Sequence, residues 1–250
     1  MRYFCSMKRV IIIGASSGIG RTLAAHYASN GCKVAAAARR IEKLEELREE
    51  FKENVHIMQL DVTDCNASNM FVSLLDSVSG ADLVIYCSGA GKHSTELSSE
   101  IEHNTTDVNV NGFLNIIIPA FNYFIKRTEV SEYIPQIVTI SSVASIRGLG
   151  ASPAYSATKR FQSIYFEALA QLAAIKGVKI DFTAIKPGFI ATDFINRSYP
   201  CTMQLPYAVK RIVRAIDKRY KNKVIDWRWA IVVGIIKIVP TSLWRKIKIG

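Results

Sequence analysis

Short apolar runs that are rich in β-branched residues alternate with longer amphipathic segments along most of this chain. The runs cover residues 8–13, 33–38, 55–60, 82–87, 136–141, 178–185 and about 224–226. Strands separated by helices in this way are typical of βαβ units, whose parallel strands are buried on both faces. The pattern predicts an α/β fold in which helices cover both faces of one doubly wound parallel sheet of about seven strands.

The segments between these runs carry helical patterns. Predicted helices cover residues 18–30, 41–52, 66–78, about 100–127 and 154–176, and an apolar stripe at helical spacing runs over 209–220. Gly31 follows the first of them, at a position where glycine commonly ends a helix. Pro187 and Gly188 predict the end of the sixth strand.

Length and composition favour one domain in a reducing compartment. The 250 residues show no composition break, so 1–250 is predicted to be a single domain, and an apolar share of 49% excludes a disordered chain. Five scattered cysteines without a Cys-x-x-Cys pair argue against disulfides and zinc and favour the cytoplasm. The four histidines show no metal spacing, and the apolar run at 10–13 is too short for a signal peptide.

A glycine-rich segment follows the first strand and opens the first helix. It reads Gly14-Ala15-Ser16-Ser17-Gly18-Ile19-Gly20. Glycines let the backbone approach a pyrophosphate, and a helix N-terminus supplies free N–H groups with a partial positive charge. The spacing is Gly-x-x-x-Gly-x-Gly rather than the commoner Gly-x-Gly-x-x-Gly. A dinucleotide site is the favoured interpretation, and a purely structural glycine turn is the alternative.

Tyr155 and Lys159 stand at i and i+4 on a predicted helix, thirteen residues after Ser142. Such a pair lies on one helix face, where the ammonium can approach the phenol. A positive charge about 4 Å away favours the phenolate, which predicts a lowered pKa for Tyr155 and a role as a general acid.

In this order, the glycine segment, Asn109, Ser142, Tyr155 and Lys159 resemble the classical short-chain dehydrogenase/reductase family. The resemblance covers residues 7–226 and implies a Rossmann-type fold. It also implies that the Asp61-Val62 pair contacts adenine and that Gly89 lies in a turn beside the cofactor. Further cofactor contacts implied after the sixth strand, beside the nicotinamide, are Pro187, Gly188, Ile190 and Thr192.

Two positions depart from the family pattern. Ile13 stands where the family usually has threonine, and Tyr86-Cys87-Ser88-Gly89 replaces its Asn-Asn-Ala-Gly turn. Losing both partners of a buried hydrogen bond can be almost neutral, so the chemistry is not placed in doubt. Cys87 is interpreted as a small core hydrophobe rather than a nucleophile.

The end of the second strand indicates which cofactor is bound. An acidic residue there would hold a ribose 2′-hydroxyl, whereas arginine would neutralise a 2′-phosphate. This chain has Ala38, Arg39 and Arg40 and no carboxylate. NADP(H) is therefore predicted, with Arg39 as the main clamp and Ser16 as a helper. The alternative is that both arginines are solvated residues at a helix start.

The resemblance implies a mechanism for an NADPH-dependent carbonyl reductase. Tyr155 would donate a proton to the developing alkoxide, and Ser142 would hydrogen-bond the same oxygen. Lys159 would lower the pKa of Tyr155 and hold the nicotinamide ribose, while Asn109 would position a water that relays protons to Lys159.

The substrate is predicted from residues 189–206, interpreted as a lid. Its apolar side chains are Phe194, Ile195, Tyr199, Met203 and Leu205. They favour a lipophilic ketone, such as a long-chain 3-keto lipid of the 3-ketosphinganine type or a steroid. A small polar hydroxy acid is the alternative substrate, and a non-catalytic NADP-binding regulator is the alternative function.

The basic, tryptophan-bearing segment 227–250 leaves three interpretations open. Residues 208–250 carry 12 Lys and Arg against 2 Asp and Glu, so the net charge of the chain, +11, is concentrated there. A helix that packs on the substrate side or at a subunit contact is one interpretation. An interfacial membrane anchor is the second, with tryptophans at the headgroups and basic residues on anionic lipid: Trp227, Trp229, Trp244, Arg245, Lys246 and Lys248. Nucleic acid is disfavoured because no recognition motif accompanies the charge. A homo-oligomer, a dimer or tetramer, is implied by the resemblance.

Overall fold

A computed structural model describes residues 9–128, 134–192 and 199–247 of the chain. Within them lies one sheet of seven strands. The strands are β1 (Arg9–Ile13), β2 (Lys33–Ala38), β3 (Val55–Gln59), β4 (Leu83–Tyr86), β5 (Gln136–Ile140), β6 (Asp181–Pro187) and β7 (Asn222–Ile225). Lys8, predicted to begin the first strand, lies outside the described residues.

Helices connect successive strands and extend the chain beyond β7. They are α1 (Gly18–Ser29), α2 (Ile41–Phe51), α3 (Ala67–Ser77), α4 (Ser99–Thr106), α5 (Gly112–Thr128), α6 (Pro153–Ile175), α7 (Leu205–Asp217), α8 (Trp227–Ile238) and α9 (Thr241–Trp244). Short 3₁₀ turns cover Lys52–Asn54 and Val143–Ile146, and a π-helical turn, Asp107–Asn111, joins α4 to α5.

All strand pairs are parallel, in the order β3-β2-β1-β4-β5-β6-β7. This is a Rossmann-type doubly wound sheet, as predicted from the alternation of runs. The chain reverses its direction of winding between β1 and β4, which are neighbours. Ligands in such sheets bind at the carboxyl ends of the strands beside this reversal. The glycine segment after β1 and the turn after β4 both lie there.

Two hydrophobic layers cover the sheet, one on each face. Val10 and Ile12 belong to one layer, and Ile11 and Ile13 belong to the other. All four side chains are fully buried. Strands buried on both faces read as continuous apolar runs instead of alternating ones, which explains why these runs were recognisable in the sequence.

Both predicted ends of the sixth strand are wrong, and one predicted helix is interrupted. The sixth strand begins at Asp181, not at residue 178, because the Val178 N–H caps the end of α6 on the Ala173 carbonyl. The same strand continues to Pro187, which pairs with Ile225 at the end of the ladder. The predicted helix over 100–127 is interrupted by the π-helical turn Asp107–Asn111, which the apolar spacing did not reveal.

The segment Ser99–Thr128 is the one stretch among the described helices that is long and apolar enough to span a membrane by length and composition alone. Half of its most apolar window is buried inside the protein. A core helix meets the same criterion, so this feature is weak evidence for a membrane span.

We predict that Gly20→Ala destabilises the fold. A Cβ at Gly20 would lie 2.2 Å from the Gly14 carbonyl oxygen, and backbone cannot move as a flexible side chain can. Overpacking of this kind costs about 1–3 kcal/mol. Urea unfolding should show a free energy of unfolding lowered by about that amount.

Gly234→Ala is the matched control for Gly20→Ala. Gly234 is also helical, but a Cβ there has no neighbouring atom within 4 Å. Alanine is the better helix former by up to about 1 kcal/mol, so this variant should unfold at the same or a higher urea concentration. Equal stabilities for the two variants would contradict the close packing at Gly20.

Candidate active site

The glycine segment forms a tight turn that packs against the end of β4. Gly14 has φ +89°, and a Cβ there would lie 2.6 Å from the backbone nitrogen of Ser88. Its N–H donates to the Ala37 carbonyl at 2.7 Å, which holds the turn on β2. Ser17 is the N-cap of α1 but makes no side-chain capping bond. The N-terminus of α1 therefore keeps N–H groups available for an anion such as a pyrophosphate.

The segment after β6, predicted to contact the cofactor beside the nicotinamide, reaches the glycine turn. Gly18 has φ +53°, and a Cβ there would lie 3.5 Å from Cγ2 of Thr192. Ile190 is buried and forms an isolated bridge with Met203. Pro187 and Gly188 lie at the carboxyl end of β6, two strands from β4. Residues at the two ends of the predicted cofactor site are thus neighbours.

A guanidinium group lies beside the glycine turn, and it belongs to Arg40. Its Nη2 donates to Ser16 Oγ at 2.9 Å and to Ser17 Oγ at 2.6 Å. Arg39 is exposed, and its carbonyl accepts a hydrogen bond from Gln59. None of the ion pairs in the described part of the chain includes Arg40. Its charge is held in place by neutral hydroxyls and stays available to an anion.

Asp61 and Val62 follow β3 and form a local turn. The Asp61 carboxylate accepts from the backbone N–H and the hydroxyl of Thr63 at 2.9 and 2.8 Å. Val62 is buried, and its carbonyl accepts from Asn115. A Cβ at Gly112 would lie 2.5 Å from Val62 Cγ2, so α5 packs tightly beneath this turn. The adenine contact predicted for Asp61 and Val62 stays a prediction. The turn that carries these residues is held by hydrogen bonds and by close packing on α5.

Ser142 and Tyr155 are in contact across the carboxyl end of β5. Ser142 follows β5, and its hydroxyl accepts from Ala144 N at 3.1 Å. Tyr155 lies in the first turn of α6, which begins with Pro153. Burial raises the pKa of Tyr155 above its ordinary value, and the hydrogen bond with Ser142 acts in the opposite direction. The phenol is therefore held in its protonated form at neutral pH.

Lys159 is buried one turn after Tyr155. Its Nζ donates to the Ile140 carbonyl at 3.1 Å and to Gln162 Oε1 at 3.3 Å, and it lies 5.8 Å from the centroid of the Tyr155 ring. Burial lowers the pKa of Lys159 to about 8. The sequence predicted a lowered pKa for Tyr155, and the direction of this shift is wrong for the structure. Desolvation of the phenol outweighs the stabilising contacts, and the ammonium points to the end of β5.

Asn109 holds the loop after β4. It lies in the π-helical turn and is fully buried. Its side chain accepts from the Ala90 N–H at 2.9 Å and donates to the Ala90 carbonyl at 2.7 Å. It also donates to the Thr158 hydroxyl at 3.0 Å. A π turn is frequent at functional sites, and this one directs the Asn109 amide to both the loop and α6.

Gln162 is a site residue that the sequence reasoning missed. Its Nε2 donates to the Asn109 carbonyl at 3.0 Å, while its Oε1 accepts from Lys159. The side chain is fully buried. Gln162 thus connects the two groups between which a water was predicted, and that water stays a prediction. Its position three residues after Lys159 on α6 was the available signal, because i and i+3 share a helix face.

Glycines allow the loop after β4 to lie directly against Lys159 and Tyr155. A Cβ at Gly89 would lie 3.2 Å from Nζ of Lys159, and one at Gly91 would lie 2.3 Å from Cδ2 of Tyr155. Gly89 was predicted as a cofactor contact, whereas Gly91 was not recognised. Any side chain at Gly91 would displace the Tyr155 ring.

The predicted lid is described in part. Phe194 and Ile195 lie outside the described residues. Phe189 stacks on Tyr199 with ring centroids 4.0 Å apart and meets Trp229 edge-on at 5.4 Å. The Tyr199 hydroxyl lies 3.2 Å from His93 Nε2, so this aromatic cluster reaches the loop after β4.

Helix α8 packs on the segment after β6 and on the turn after Ser142. A Cβ at Gly188 would lie 2.1 Å from Nε1 of Trp229, which donates to the Cys201 carbonyl at 3.2 Å. Arg147, in the turn after Ser142, donates to the carbonyls of Ile236 and Val239 at the end of α8. The tail is therefore attached to both the segment after β6 and the Ser142 turn.

Two of the three tryptophans predicted as membrane anchors face the protein. Trp229 packs against Gly188, and the Trp244 indole donates to the Gly148 carbonyl at 2.9 Å beneath Arg147. Trp227, 64% exposed, is the most open of the three. The N–H groups of Trp229 and Trp244 are bonded to backbone carbonyls, and the headgroup role predicted for these two residues stays a prediction. Lys248, predicted to meet lipid, lies outside the described residues.

Cys87 has the properties of a structural thiol. Burial raises the pKa of Cys87 to about 12, so it is not a thiolate at neutral pH. Among the described residues no cluster of three His, Cys, Asp or Glu side chains could hold a metal ion.

The site therefore has two halves with different chemistry. One half is the glycine turn with Arg40, which suits a phosphorylated dinucleotide. The other is the group Ser142, Tyr155 and Lys159, which can donate a proton and hydrogen bonds to a developing oxyanion. Both lie at the carboxyl edge of the sheet, beside the β1–β4 reversal.

Comparison with known proteins gives concordant matches. A family model described as short chain dehydrogenase matches residues 8–200. An uncharacterized oxidoreductase from Myxococcus xanthus (strain DK1622) is 30% identical over 248 residues, which cover 96% of this chain and 95% of the relative.

Two solved structures are similar in fold. A short chain dehydrogenase from Burkholderia cenocepacia in complex with NADP has a TM-score of 0.78 at 18% identity, over 95% of this chain and 96% of that chain. A 3-ketoacyl-(acyl-carrier-protein) reductase from Brucella melitensis complexed with NADH has a TM-score of 0.69 at 22% identity, over 75% and 77%. At these identities the likeness extends to the fold.

We predict that buried Lys159 makes stability depend on pH. The pKa of Lys159 is lowered from 10.5 to about 8. Below pH 8 the lysine is charged in both states, and the folded state bears the cost of a desolvated ammonium. As pH rises from 8 toward 10.5, the folded state loses its proton first and this cost disappears. The stability advantage of Lys159→Met over wild type should therefore shrink by about 3 kcal/mol over that range.

Urea unfolding of both proteins at pH 7.5 and 9.5 measures the larger part of this effect, about 2 kcal/mol, since all other titrating groups are common to both. Lys218→Met, at an exposed position after α7, is the matched control. Its stability difference from wild type should be the same at both pH values. A pH-independent difference for Lys159→Met would show that Lys159 keeps an ordinary pKa.

Proposed function

Because the chain belongs to the short chain dehydrogenase family of oxidoreductases, we propose that it is an NADPH-dependent carbonyl reductase that interconverts a ketone and a secondary alcohol. The observation that carries this proposal is the contact between Ser142 and the protonated Tyr155 phenol, with Lys159 buried one turn away. A sensor of the cofactor would need only the glycine turn. Preservation of a complete proton-donating group favours an enzyme over a non-catalytic regulator.

The residues at the glycine turn fit a nicotinamide dinucleotide. The pyrophosphate would lie at the open N-terminus of α1, beside Gly18 and Ile19. Thr192 and the Pro187-Gly188 segment would hold the nicotinamide end. When bound, the cofactor supplies the hydride that reduces the carbonyl carbon.

Tyr155 acts as the general acid. Its raised pKa keeps the proton on the phenol until negative charge develops on the substrate oxygen. Ser142 donates a second hydrogen bond to that oxygen and fixes the carbonyl against the phenol.

Lys159, Gln162 and Asn109 keep this acid in position. Asn109 holds Ala90, and the neighbouring Gly91 lies against the Tyr155 ring. Lys159 is held by the end of β5 and by Gln162, from where its ammonium can hydrogen-bond ribose hydroxyls. These buried contacts hold the Tyr155 ring in place. They should keep the substrate oxygen about 2.6–3.2 Å from the phenol oxygen, the distance that proton transfer requires.

A lipophilic ketone is the substrate class that the aromatic cluster supports best. Phe189, Tyr199 and Trp229 offer apolar faces beside the segment after β6. A long-chain 3-keto lipid or a steroid can bury its apolar body against such faces. A small polar hydroxy acid is the second candidate, favoured by the polar pair His93 and Tyr199.

The partner and location proposals are coarser. A homo-oligomer is supported by exposed apolar side chains on α5 and α6: Ile118, Ile164, Leu172 and Ile175. A cytoplasmic location with a peripheral membrane contact is consistent with the free cysteines and the basic tail.

We predict that NADPH oxidation with a lipophilic ketone requires Tyr155. A panel of long-chain 3-keto lipids, steroids, a water-soluble diketone and polar hydroxy acids should show the highest kcat/KM for the lipophilic ketones. Tyr155→Phe should reduce kcat by about 10²–10⁴-fold, because the proton donor is lost. Equal rates for both proteins would remove Tyr155 from the mechanism.

Tyr165→Phe is the matched control for Tyr155→Phe. Tyr165 lies on the same helix, away from Ser142, and packs on Phe161. Its rate should match that of wild type. Activity confined to polar hydroxy acids would contradict the lipophilic substrate and support the second candidate.

We predict that Arg40 sets the preference for NADPH. It lies on the hydroxyls of Ser16 and Ser17, where a 2′-phosphate of the adenosine ribose would be received. A hydrogen bond to a charged group contributes about 1.5–3 kcal/mol, so Arg40→Ala should raise the KM for NADPH about 10- to 100-fold. The KM for NADH should change less than twofold.

Arg39→Ala is the matched control, since Arg39 is the neighbouring exposed arginine and was the clamp predicted from the sequence. Steady-state kinetics with both cofactors decide between the two residues. A larger effect at Arg39 than at Arg40 would return the clamp to Arg39. Equal losses with NADPH and NADH would show that neither arginine reads the 2′-phosphate.

A further inference from the structure

Helix α8 carries two charged residues, Arg228 and Lys237, and is otherwise apolar, yet one apolar face of it is open to solvent. The exposed positions recur at helical spacing and form what we name the outer stripe: Trp227, Ala230, Ile231, Gly234, Ile235 and Ile238. Ile231, Ile235 and Ile238 are 54%, 56% and 80% exposed. A contiguous exposed apolar stripe commonly marks an interaction surface, so a surface other than water is expected on the outer stripe.

The inner face of α8 shows that the helix is firmly placed. Val233 is 5% exposed and Trp229 packs on Gly188. The carboxylate of Asp226 accepts a hydrogen bond from the Arg228 N–H in the first turn. At the other end, Arg147 donates to the carbonyls of Ile236 and Val239. The outer stripe is therefore presented by a helix fixed at both ends.

Positive charge surrounds the outer stripe. Residues 227–247 contain Arg228, Lys237, Arg245 and Lys246 and no acidic residue, and Arg228 is ion-paired with the preceding Asp226. At the start of α8, the hydrogen bond from Arg228 lowers the pKa of the Asp226 carboxyl, and the charge of Arg211 lowers it further. Near its end, burial lowers the pKa of Lys186, and the charges of Arg160 and Lys237 lower it further while Glu167 raises it, so three cations and one carboxylate lie close together. An apolar stripe framed by cations is complementary to an anionic lipid surface.

A second copy of the chain fits the outer stripe less well. The 12 residues of α8 make a helix about 18 Å long and about 10 Å wide, whereas a stable dimer buries about 800 Å² on each partner. A two-fold contact through this stripe would also bring like charges together. The contact area and the charge both favour lipid as the occupant.

We propose that the outer stripe of α8 docks on anionic membrane surfaces and that this docking delivers a lipophilic ketone to the site. Trp227 and the three isoleucines enter the interface, and the flanking cations meet lipid headgroups. Interfacial helices insert about 5–10 Å, which an apolar stripe of this kind can do without spanning the bilayer.

The position of Trp229 connects docking to catalysis. Trp229 lies on the inner face of α8 and contacts Phe189 in the segment that lines the substrate side. That segment is thus separated from the outer stripe by the thickness of one helix, about 10 Å. A long-chain ketone leaving the lipid would reach the aromatic cluster without crossing bulk water. The delivery step rests on the proposed function, whereas docking itself does not.

Co-sedimentation of the full chain with vesicles tests docking. Wild type should bind vesicles of phosphatidylcholine with about 30% phosphatidylserine at least tenfold more strongly than vesicles of phosphatidylcholine alone, because about 1 kcal/mol is gained for each basic residue near an anionic surface. Ile235→Glu should reduce binding to the anionic vesicles at least tenfold. Wild type that stays in the supernatant, or an Ile235→Glu protein that binds as well as wild type, would overturn the proposal.

Val72→Glu is the matched control. Val72 is an apolar residue on α3 with similar exposure, 45%, and it is remote in sequence from the tail. It should bind vesicles as wild type does. Sedimentation velocity completes the test: loss of an oligomer in Ile235→Glu, without vesicle binding by wild type, would assign the outer stripe to a second copy and overturn lipid docking.

Kinetics separate docking from the proposed function. With anionic vesicles present, wild type should gain kcat/KM for a vesicle-embedded long-chain ketone, and Ile235→Glu should lose that gain while keeping the wild-type rate on a water-soluble diketone. No gain for wild type despite vesicle binding would overturn delivery. If no ketone is reduced but wild type binds vesicles and Ile235→Glu does not, the proposed function fails and docking stands.

Discussion

The close approach of the glycine turn to the end of β4 is the constraint on which the rest of the site depends. Gly14 lies so near Ser88 that a single methyl group would collide with backbone, and Gly20 lies equally near the Gly14 carbonyl. This contact brings the N-terminus of α1 and the loop after β4 to one edge of the sheet. Asn109 then fixes that loop through Ala90, and Gly91 leaves room for the Tyr155 ring. Each later contact presupposes the first.

The second organising feature is a buried polar chain from the π-helical turn to the end of β5. The Asn109 carbonyl, Gln162 and Lys159 are linked by successive hydrogen bonds, and none of these side chains is more than 4% exposed. In a low-dielectric interior such a network stabilises the fold only if every member is satisfied. Its cost is visible in the lowered pKa of Lys159. Burial disfavours the charged form of both groups, so the same environment lowers the pKa of Lys159 and keeps the proton on Tyr155.

The strands and three of the site residues could be predicted from the sequence, whereas other site residues and one pKa shift could not. The strands were recognisable because parallel strands buried on both faces are continuous apolar runs, and Ser142, Tyr155 and Lys159 were recognisable by spacing within one helix and one strand end. Gly91 was missed because it contacts Tyr155, which is distant in sequence. Gln162 shares a helix face with Lys159, but its hydrogen bond to the distant Asn109 carbonyl could not be predicted from spacing. The direction of the Tyr155 pKa shift was wrong, since spacing shows that two groups can be neighbours but says nothing of how deeply they are desolvated.

In the tail, residues 227–250, composition was evident from the sequence but side-chain orientation was not. Its charge and tryptophans were plain in the sequence, but only packing decided that Trp229 and Trp244 face the protein while Trp227 and the isoleucines of α8 face outward. The sequence by itself determined the order of strands and helices along the chain, the glycine turn and the grouping of Ser142, Tyr155 and Lys159, because these follow from local periodicity and short spacings. Tertiary structure alone decided which arginine reaches the glycine turn, which amide holds Lys159 and which face of α8 stays apolar and open. Those choices depend on where distant segments meet and on how much water each group loses there.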